Sequence, residues 1–289
     1  MNKIALLLCG EKAFIAIQML PSDLIRKVSF VVVGKDPGVI NDYSQEIKDW
    51  SSANKIKFFE KKDLADLSAS YYIALGWKWL LQFDPHISLI TIHDSLLPKY
   101  RGFNPLVTAL IEGDQEIGAT AIWAVSEPDR GPIIFQEKLS VSYPLKIQEA
   151  IIRMGSVYGD ILAKILGQLE SLGNGVEQNE AQASYSLWRD EFDYFIDWSW
   201  PAEKVVRHIH ASGPPYSGAK AKLGDEVLTI HDAYSIADMK IINRTPGKVV
   251  FRKDGNLVVA CSSGLIAIPQ FLDGKGEQVP LPNLKYRFF

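Results

Sequence analysis

Over its first half the chain alternates short apolar runs with amphipathic stretches. "KIALLLCG" (3–10) predicts a buried strand closed by Gly10, and "KAFIAIQML" behind it has helical spacing. "KVSFVVVG" (27–34) predicts a second buried strand, "NDYSQEIKDWSSAN" a helix and "IKFFE" a third strand. "SYYIALGW" (70–77) and "ISLITIH" (87–93) predict a fourth and a fifth. Short apolar strands alternating with helices point to parallel βαβ units. "GATAIWAV" (118–125) and "PIIFQEKLSV" (132–141) predict two further strands, a hairpin-like pair at one side. Residues 146–172 carry apolar positions three and four apart, which predicts a long amphipathic helix closing a first domain.

The pattern then changes. "GNGVEQNEAQASYS" (173–186) is polar and turn-rich, as a linker would be. One helical stretch follows, "PAEKVVRHIHAS", opened by Pro201 at a favourable first position. After "GPPYSGA" come short strands between turns, "EVLTIHDA", "GKVVFRKDG", "NLVVACSSG" and "LIAIPQF". The expected class is α/β, with a Rossmann-like, mostly parallel sheet over 1–183. A smaller, mostly-β module of barrel or OB-like character is expected over 184–289.

Composition narrows the function. With 289 residues, 47% apolar and 22% charged, the chain has the make-up of an ordinary globular protein. The region from Ser184 onward holds 13 Lys/Arg against 12 Asp/Glu, and the whole chain is at −3. A nucleic-acid partner, which needs clustered cations, is therefore not expected. Cys9 and Cys261 are far apart and show no CxxC spacing, which fits a reducing, cytoplasmic setting. No run reaches the roughly 18 apolar residues of a membrane helix. His208 and His210, two apart on a helix, diverge, so no metal site is expected. The aromatic group of Tyr185, Trp188, Phe192, Tyr194, Trp198 and Trp200 is expected to pack the two domains.

The candidate chemistry lies in "ITIHDSLLPKYRGFNP", where the fifth strand ends. Residues two apart on a strand share a face, so Thr91 and His93 point the same way. In open α/β sheets ligands bind beyond the carboxyl ends of the strands. His93 has the pKa range for general acid–base work there. By position alone it reads first as a strand-end histidine with a structural hydrogen bond. Asp129, in "SEPDRG", could by itself be an ordinary turn aspartate.

The stretch from Thr91 through Ser95, Pro98, Tyr100 and Arg101 to Gly102 resembles the signature of the folate-dependent formyltransferases, including sugar-nucleotide and methionyl-tRNA enzymes. "GDQEIGAT" (113–120) and the loop with Asp129 and Gly131 match that family's second half. "IDWSWPAEKVVRHIHA" is similar to the C-terminal module of its two-domain members. The resemblance implies transfer of a formyl group from 10-formyltetrahydrofolate, as cosubstrate, to an amine. His93 would then aid proton transfer, and Asp129 would orient it and touch the cofactor. Thr91 stands where the family has an asparagine that donates to the oxyanion. That departure leaves open a slow enzyme or a silent folate or sugar-nucleotide binder. Trp77 and Leu80 fall in the implied folate pocket. Lys12, Ser95, Lys99 and Arg101 are candidates for the substrate, the cations for its phosphates. The near-neutral second domain favours a nucleotide-linked amino sugar of bacterial surface glycans over methionyl-tRNA as the acceptor. The same resemblance implies a homodimer.

Overall fold

The structure is a computed structural model and describes residues 2–79, 81, 87–280 and 284–289. Its chain divides into two compact units. One takes the residues up to Leu106, Glu116–Ser140 and Ala150–Leu187, and the other Val107–Gln115, Val141–Glu149 and Trp188–Phe289.

The first unit is built on β1 (Ile4–Leu8), α1 (Gly10–Gln18), α2 (Ser22–Ile25), β2 (Phe30–Val33), α3 (Ser44–Ala53), β3 (Lys57–Glu60), β4 (Tyr71–Leu75), β5 (Ser88–His93) and β6 (Arg101–Gly102). After α4 (Pro105–Glu112) come β7 (Glu116–Trp123), β8 (Ile133–Ser140), α5 (Ile147–Gln168) and β9 (Tyr185–Ser186). Seven strands form one sheet in the order β3-β2-β1-β4-β5-β7-β8. The first five run parallel. β7 is antiparallel to β5, and β8 to β7.

Sequence pattern explains this layering. β1 and β2 are buried along their whole length, so both faces are covered and the runs show no alternation. β8, at the edge, alternates along part of its length, and Lys138 there pairs with Glu116 of β7 at 2.7 Å. α5 lays Ile151, Met154, Tyr158, Ile161 and Ile165 into the interior at three- and four-residue steps. Strand order reverses between β1 and β4, where the Cys9 N–H donates to the Leu75 carbonyl at 3.1 Å. Such a switch point opens a crevice at the carboxyl ends of the strands, and β5 delivers His93 to that edge.

The second unit carries α6 (Ala202–Ser212), β10 (Ala219–Leu223), β11 (Glu226–Ile230), β12 (Tyr234–Ile236), β13 (Val249–Lys253), β14 (Asn256–Ala260), β15 (Leu265–Ile268), β16 (Phe271–Leu272) and β17 (Gln278–Val279). They form two four-stranded sheets, β10-β11-β16-β17 and β12-β15-β14-β13. α6 packs Val205 and Ile209 into a core with Leu228, Ile266 and Phe271. In that core Phe288 stacks between Trp198 and Phe271, with centroids 5.5 and 5.3 Å away. The end of α4 is counted here because α6 grips it. Arg207 Nε donates to the Ile111 carbonyl at 2.9 Å and Lys204 pairs with Glu112 at 2.8 Å.

Two expectations change. The polar stretch 173–186 is not a free linker. Its Val176 bridges Ile133, and β9 pairs with β6 in parallel. The aromatic group divides, with Trp198 buried in the second unit's core and Tyr185, Trp188 and Phe192 exposed. Among the described residues no helix is long and apolar enough to cross a membrane.

Candidate active site

β5 sets the site. Thr91 lies beside Ala74 of β4 and Ile122 of β7, and His93 beside Thr120, so both side chains leave the same face of the sheet. The His93 side chain is 10% exposed. Its Nε2 lies 2.8 Å from the Tyr100 carbonyl. A carbonyl only accepts, so Nε2 carries the proton there. The other ring nitrogen, Nδ1, faces Asp129 Oδ1 at 3.4 Å.

Asp129 reaches His93 from the loop between β7 and β8, with φ at +59°, a left-handed conformation that aspartate tolerates better than most residues. Its Oδ2 accepts the Gly102 N–H at 2.8 Å. Gly102 has φ +98°, and a Cβ there would stand 2.5 Å from the Ser186 carbonyl oxygen, so this approach needs glycine. An imidazolium formed at His93 would find an acceptor on each ring nitrogen. Carbonyl and carboxylate together orient the ring and balance its charge.

The turn after β5 is held by a polar network. Thr120 Oγ1 donates to the Ser95 carbonyl at 2.6 Å and accepts the Leu97 N–H at 3.1 Å. Gln136 Nε2 donates to the Leu97 carbonyl and to Thr120 Oγ1, each at 2.9 Å. Ser95 Oγ donates to the Lys99 carbonyl at 2.6 Å. Ser95 thus closes the turn that carries Tyr100 under His93.

The three cations singled out from sequence all have partners in the chain. Lys12 pairs with Asp94, the residue that follows His93 past the end of β5. Burial works to raise the Asp94 carboxyl, but Lys12 outweighs it and holds the carboxyl below the ordinary aspartate range. Burial, with Asp94 beside it, pushes the Tyr158 phenol far up, and its hydroxyl donates to the Ile92 carbonyl at 3.2 Å. Lys99 Nζ sits over the Tyr100 ring, 4.7 Å from its centroid. Arg101 is 1% exposed, with Nη2 2.7 Å from Glu180 Oε1 and 2.8 Å from Gln178 Oε1. Arg101 and Arg130 draw the Glu180 carboxyl down to about 2. Lys12 and Arg101 therefore hold the chain together where sequence suggested phosphate contacts.

At the end of β4, Trp77 packs against the core cluster of Ala5, Leu7, Phe30, Val32, Tyr72 and Ala74, as Leu81 also does. It meets Trp79 edge to face at 4.9 Å. The Trp77 indole Nε1 is buried and has no hydrogen-bond acceptor among the described residues. The Trp79 ring covers Gly34, where a Cβ would lie 2.4 Å from it. Leu80, expected beside them, lies outside the described residues.

The structure thus brings Thr91, His93, Asp129 and the Ser95 turn together. It adds groups that motif reading passes over, namely the Tyr100 carbonyl, the Gly102 N–H, Asp94, Tyr158 and Gln178. Backbone groups carry no side-chain signal. Asp94 follows His93 directly in the chain, but its partner Lys12 stands 82 positions away, where no local motif links them.

Comparison with known proteins bears on the fold and the family. Residues 60–154 match the formyl transferase family model, and residues 190–283 match the model of the formyl transferase C-terminal domain. The methionyl-tRNA formyltransferase of Staphylococcus aureus (strain Newman) is 29% identical over 177 residues, 61% of this chain. That match spans only 56% of the relative's own length, little more than half. The N-formyltransferase of Helicobacter canadensis, solved with folinic acid and dTDP-3-aminofucose, superposes with a TM-score of 0.66. It is 16% identical over 93% of this chain and 99% of that one. The methionyl-tRNA formyltransferase of Clostridium thermocellum gives 0.59 at 17% identity, covering 85% and 99%. At these identities the two solved structures share the fold. With both of its domain models matched over more than half of its length, and His93 and Asp129 facing each other at the end of β5, this chain belongs to the formyl transferase family.

Proposed function

We propose that this protein is an N-formyltransferase that moves a formyl group from 10-formyltetrahydrofolate to the amine of a nucleotide-linked amino sugar. The observation that carries the reading is the approach of His93 Nδ1 to Asp129 Oδ1, 3.4 Å apart at the carboxyl edge of the sheet. An amine that attacks a formyl carbon must shed a proton. His93 takes it at Nδ1 while Nε2 stays on the Tyr100 carbonyl and Asp129 balances the charge. His93 then gives it to the cosubstrate nitrogen that leaves as the bond from that nitrogen to the formyl carbon breaks. The Thr91 hydroxyl, on the same face, donates to the charge that builds on the formyl oxygen.

The cosubstrate supplies the activated formyl group when bound. The residues present suit it. The unpartnered Nε1–H of Trp77 fits a ring rich in acceptor atoms, and Leu81, packed against the same core cluster, fits the ring's apolar surface. Leu80 belongs to the same proposed pocket. The amino-sugar acceptor is supported by the near balance of charge from Ser184 onward and by the dTDP-3-aminofucose held by the Helicobacter canadensis relative. Glycan biosynthesis, a cytoplasmic location and a homodimer belong to the same proposal.

A second reading rests on Thr91, a shorter donor than the family's asparagine, and makes the chain a binder of folate and sugar nucleotide without turnover. The test sets purified protein, 10-formyltetrahydrofolate and a panel of acceptors together. The panel holds dTDP-3-aminofucose, a 4-amino analogue and methionyl-tRNA, with formate release measured without acceptor. Turnover of an amino sugar that is lost in His93→Gln supports the proposal. Turnover of methionyl-tRNA alone, or calorimetric binding without turnover, overturns it.

A further inference from the structure

Gln178 lies in the polar stretch 173–186 yet is only 9% exposed, and its whole amide is spent inside the protein. Nε2 donates to the carbonyls of Asp129 and Gly131, each at 2.8 Å. Oε1 accepts from Arg101 Nε at 3.1 Å and Nη2 at 2.8 Å. Arg101 in turn precedes Gly102, whose N–H holds the Asp129 carboxylate. The contacts close a ring from Arg101 through Gln178 to the Asp129 carbonyl, then from the Asp129 carboxylate through Gly102 back to Arg101. Asp129 is gripped at both ends, by backbone and side chain, in a left-handed conformation a free loop would rarely keep. The loop has no slack at Gly131, where a Cβ would fall 1.6 Å from the Trp123 carbonyl oxygen.

We infer that Gln178 is a positioning residue for the reaction at His93. Through the Asp129 carbonyl it sets where the Asp129 carboxylate stands against His93 Nδ1, and the Arg101 guanidinium fixes the rotamer and amide orientation of Gln178. Only an amide can do this at that place, because it must donate to two carbonyls on one side and accept from a guanidinium on the other. The inference rests on the reading of His93 and Asp129 as the reacting pair.

Gln178→Glu tests it. The carboxylate keeps the size and the acceptor for Arg101 but turns an oxygen toward two carbonyls, so the Asp129 loop must shift while the Arg101 contact survives. Two readouts are taken. In protein carrying 15N-labelled histidine, the His93 imidazole resonances are assigned by their loss in His93→Gln. They are expected to move in Gln178→Glu and in Asp129→Asn. With dTDP-3-aminofucose as acceptor, kcat is expected to fall about 10- to 100-fold, as misplacement by about 1 Å does. The KM for 10-formyltetrahydrofolate should stay within about twofold. Gln178→Glu added to Asp129→Asn should cost no more than about a further twofold, because the residue it acts through is already disabled.

A folded Gln178→Glu protein whose His93 resonances stay in place overturns the inference. So does a kcat loss that multiplies with that of Asp129→Asn. Should Gln178→Glu not fold, Gln178→Asn, which keeps both functions at shorter reach, takes its place. Displaced His93 resonances in that protein support the inference, and unmoved ones overturn it. If no acceptor on the panel is formylated by the unaltered protein, the proposed function fails, and the resonances still decide the role of Gln178.

Discussion

Gly102 donates its backbone N–H to Asp129 Oδ2 at 2.8 Å, and this bond turns the other carboxylate oxygen toward His93. The family's Tyr-Arg-Gly stretch thus has a physical task here. Tyr100 supplies the carbonyl for His93 Nε2, Arg101 braces the loop from within, and Gly102 anchors the carboxylate.

Replacing Asp129 by Asn keeps shape and removes charge. A neutral amide no longer balances a proton on His93, and kcat should drop about 10²- to 10⁴-fold, the usual span for losing acid–base support. Steady-state formyl transfer at saturating cosubstrate measures it, and a loss below about tenfold counts against the pair as the reacting centre.

In the proposed reaction Thr91 is the donor that meets the formyl oxygen. Thr91→Val is isosteric and removes the hydroxyl, which should lower kcat about 10²- to 10³-fold. Equal rates for the two proteins would assign the oxyanion donor elsewhere. Thr91→Asn, measured beside it, shows whether the longer carboxamide raises the rate.

The Lys12–Asp94 pair is a stability device, with each side chain 16% exposed. Lys12→Met strands a buried carboxylate and should destabilise the fold by about 3–5 kcal/mol. The double change Lys12→Met with Asp94→Leu should recover most of it. Asp94 titrates below its ordinary value, so its stabilisation is present above about pH 3.9 and lost as pH falls through the lower folded value. Urea unfolding of the three proteins at neutral and acid pH checks both statements.

His208 predicts a second acid response. Burial drives its pKa down to about 4, helped by the Arg189 charge and opposed by the bond from Nε2 to the Tyr194 carbonyl at 3.2 Å. The folded state binds the proton less well than the unfolded chain. Stability is therefore full above about pH 6.5 and declines as pH falls toward about 4, by about 3 kcal/mol. His208→Phe should flatten that decline between pH 7 and pH 4.5. An unchanged slope in chemical denaturation would show that other groups cause it.

Much of the architecture is legible in the sequence because it rests on periodicity. β1 and β2 are unbroken apolar runs buried on both faces, and α5 repeats its buried positions over 22 residues. β6 and β9 are not legible, since two residues cannot display a period. The stretch around Gln178 reads as a linker for a related reason. Its polar residues are satisfied inside the fold rather than by water, and composition does not distinguish the two. The pairing of Arg101 is hidden in the same way. A guanidinium beside a turn suits a phosphate, and only the position of Gln178 and Glu180 shows it already paired.

The sequence by itself determined the seven strands of the first sheet, the long helix, the change to a mostly-β region and the motif that ends β5, because each depends on neighbours a few positions away. Tertiary structure decided the distance from His93 to Asp129, the partners of Lys12 and Arg101 and the burial of Gln178. Those depend on loops far apart in the chain converging at one edge of the sheet, and side-chain chemistry read along a line carries no measure of that distance.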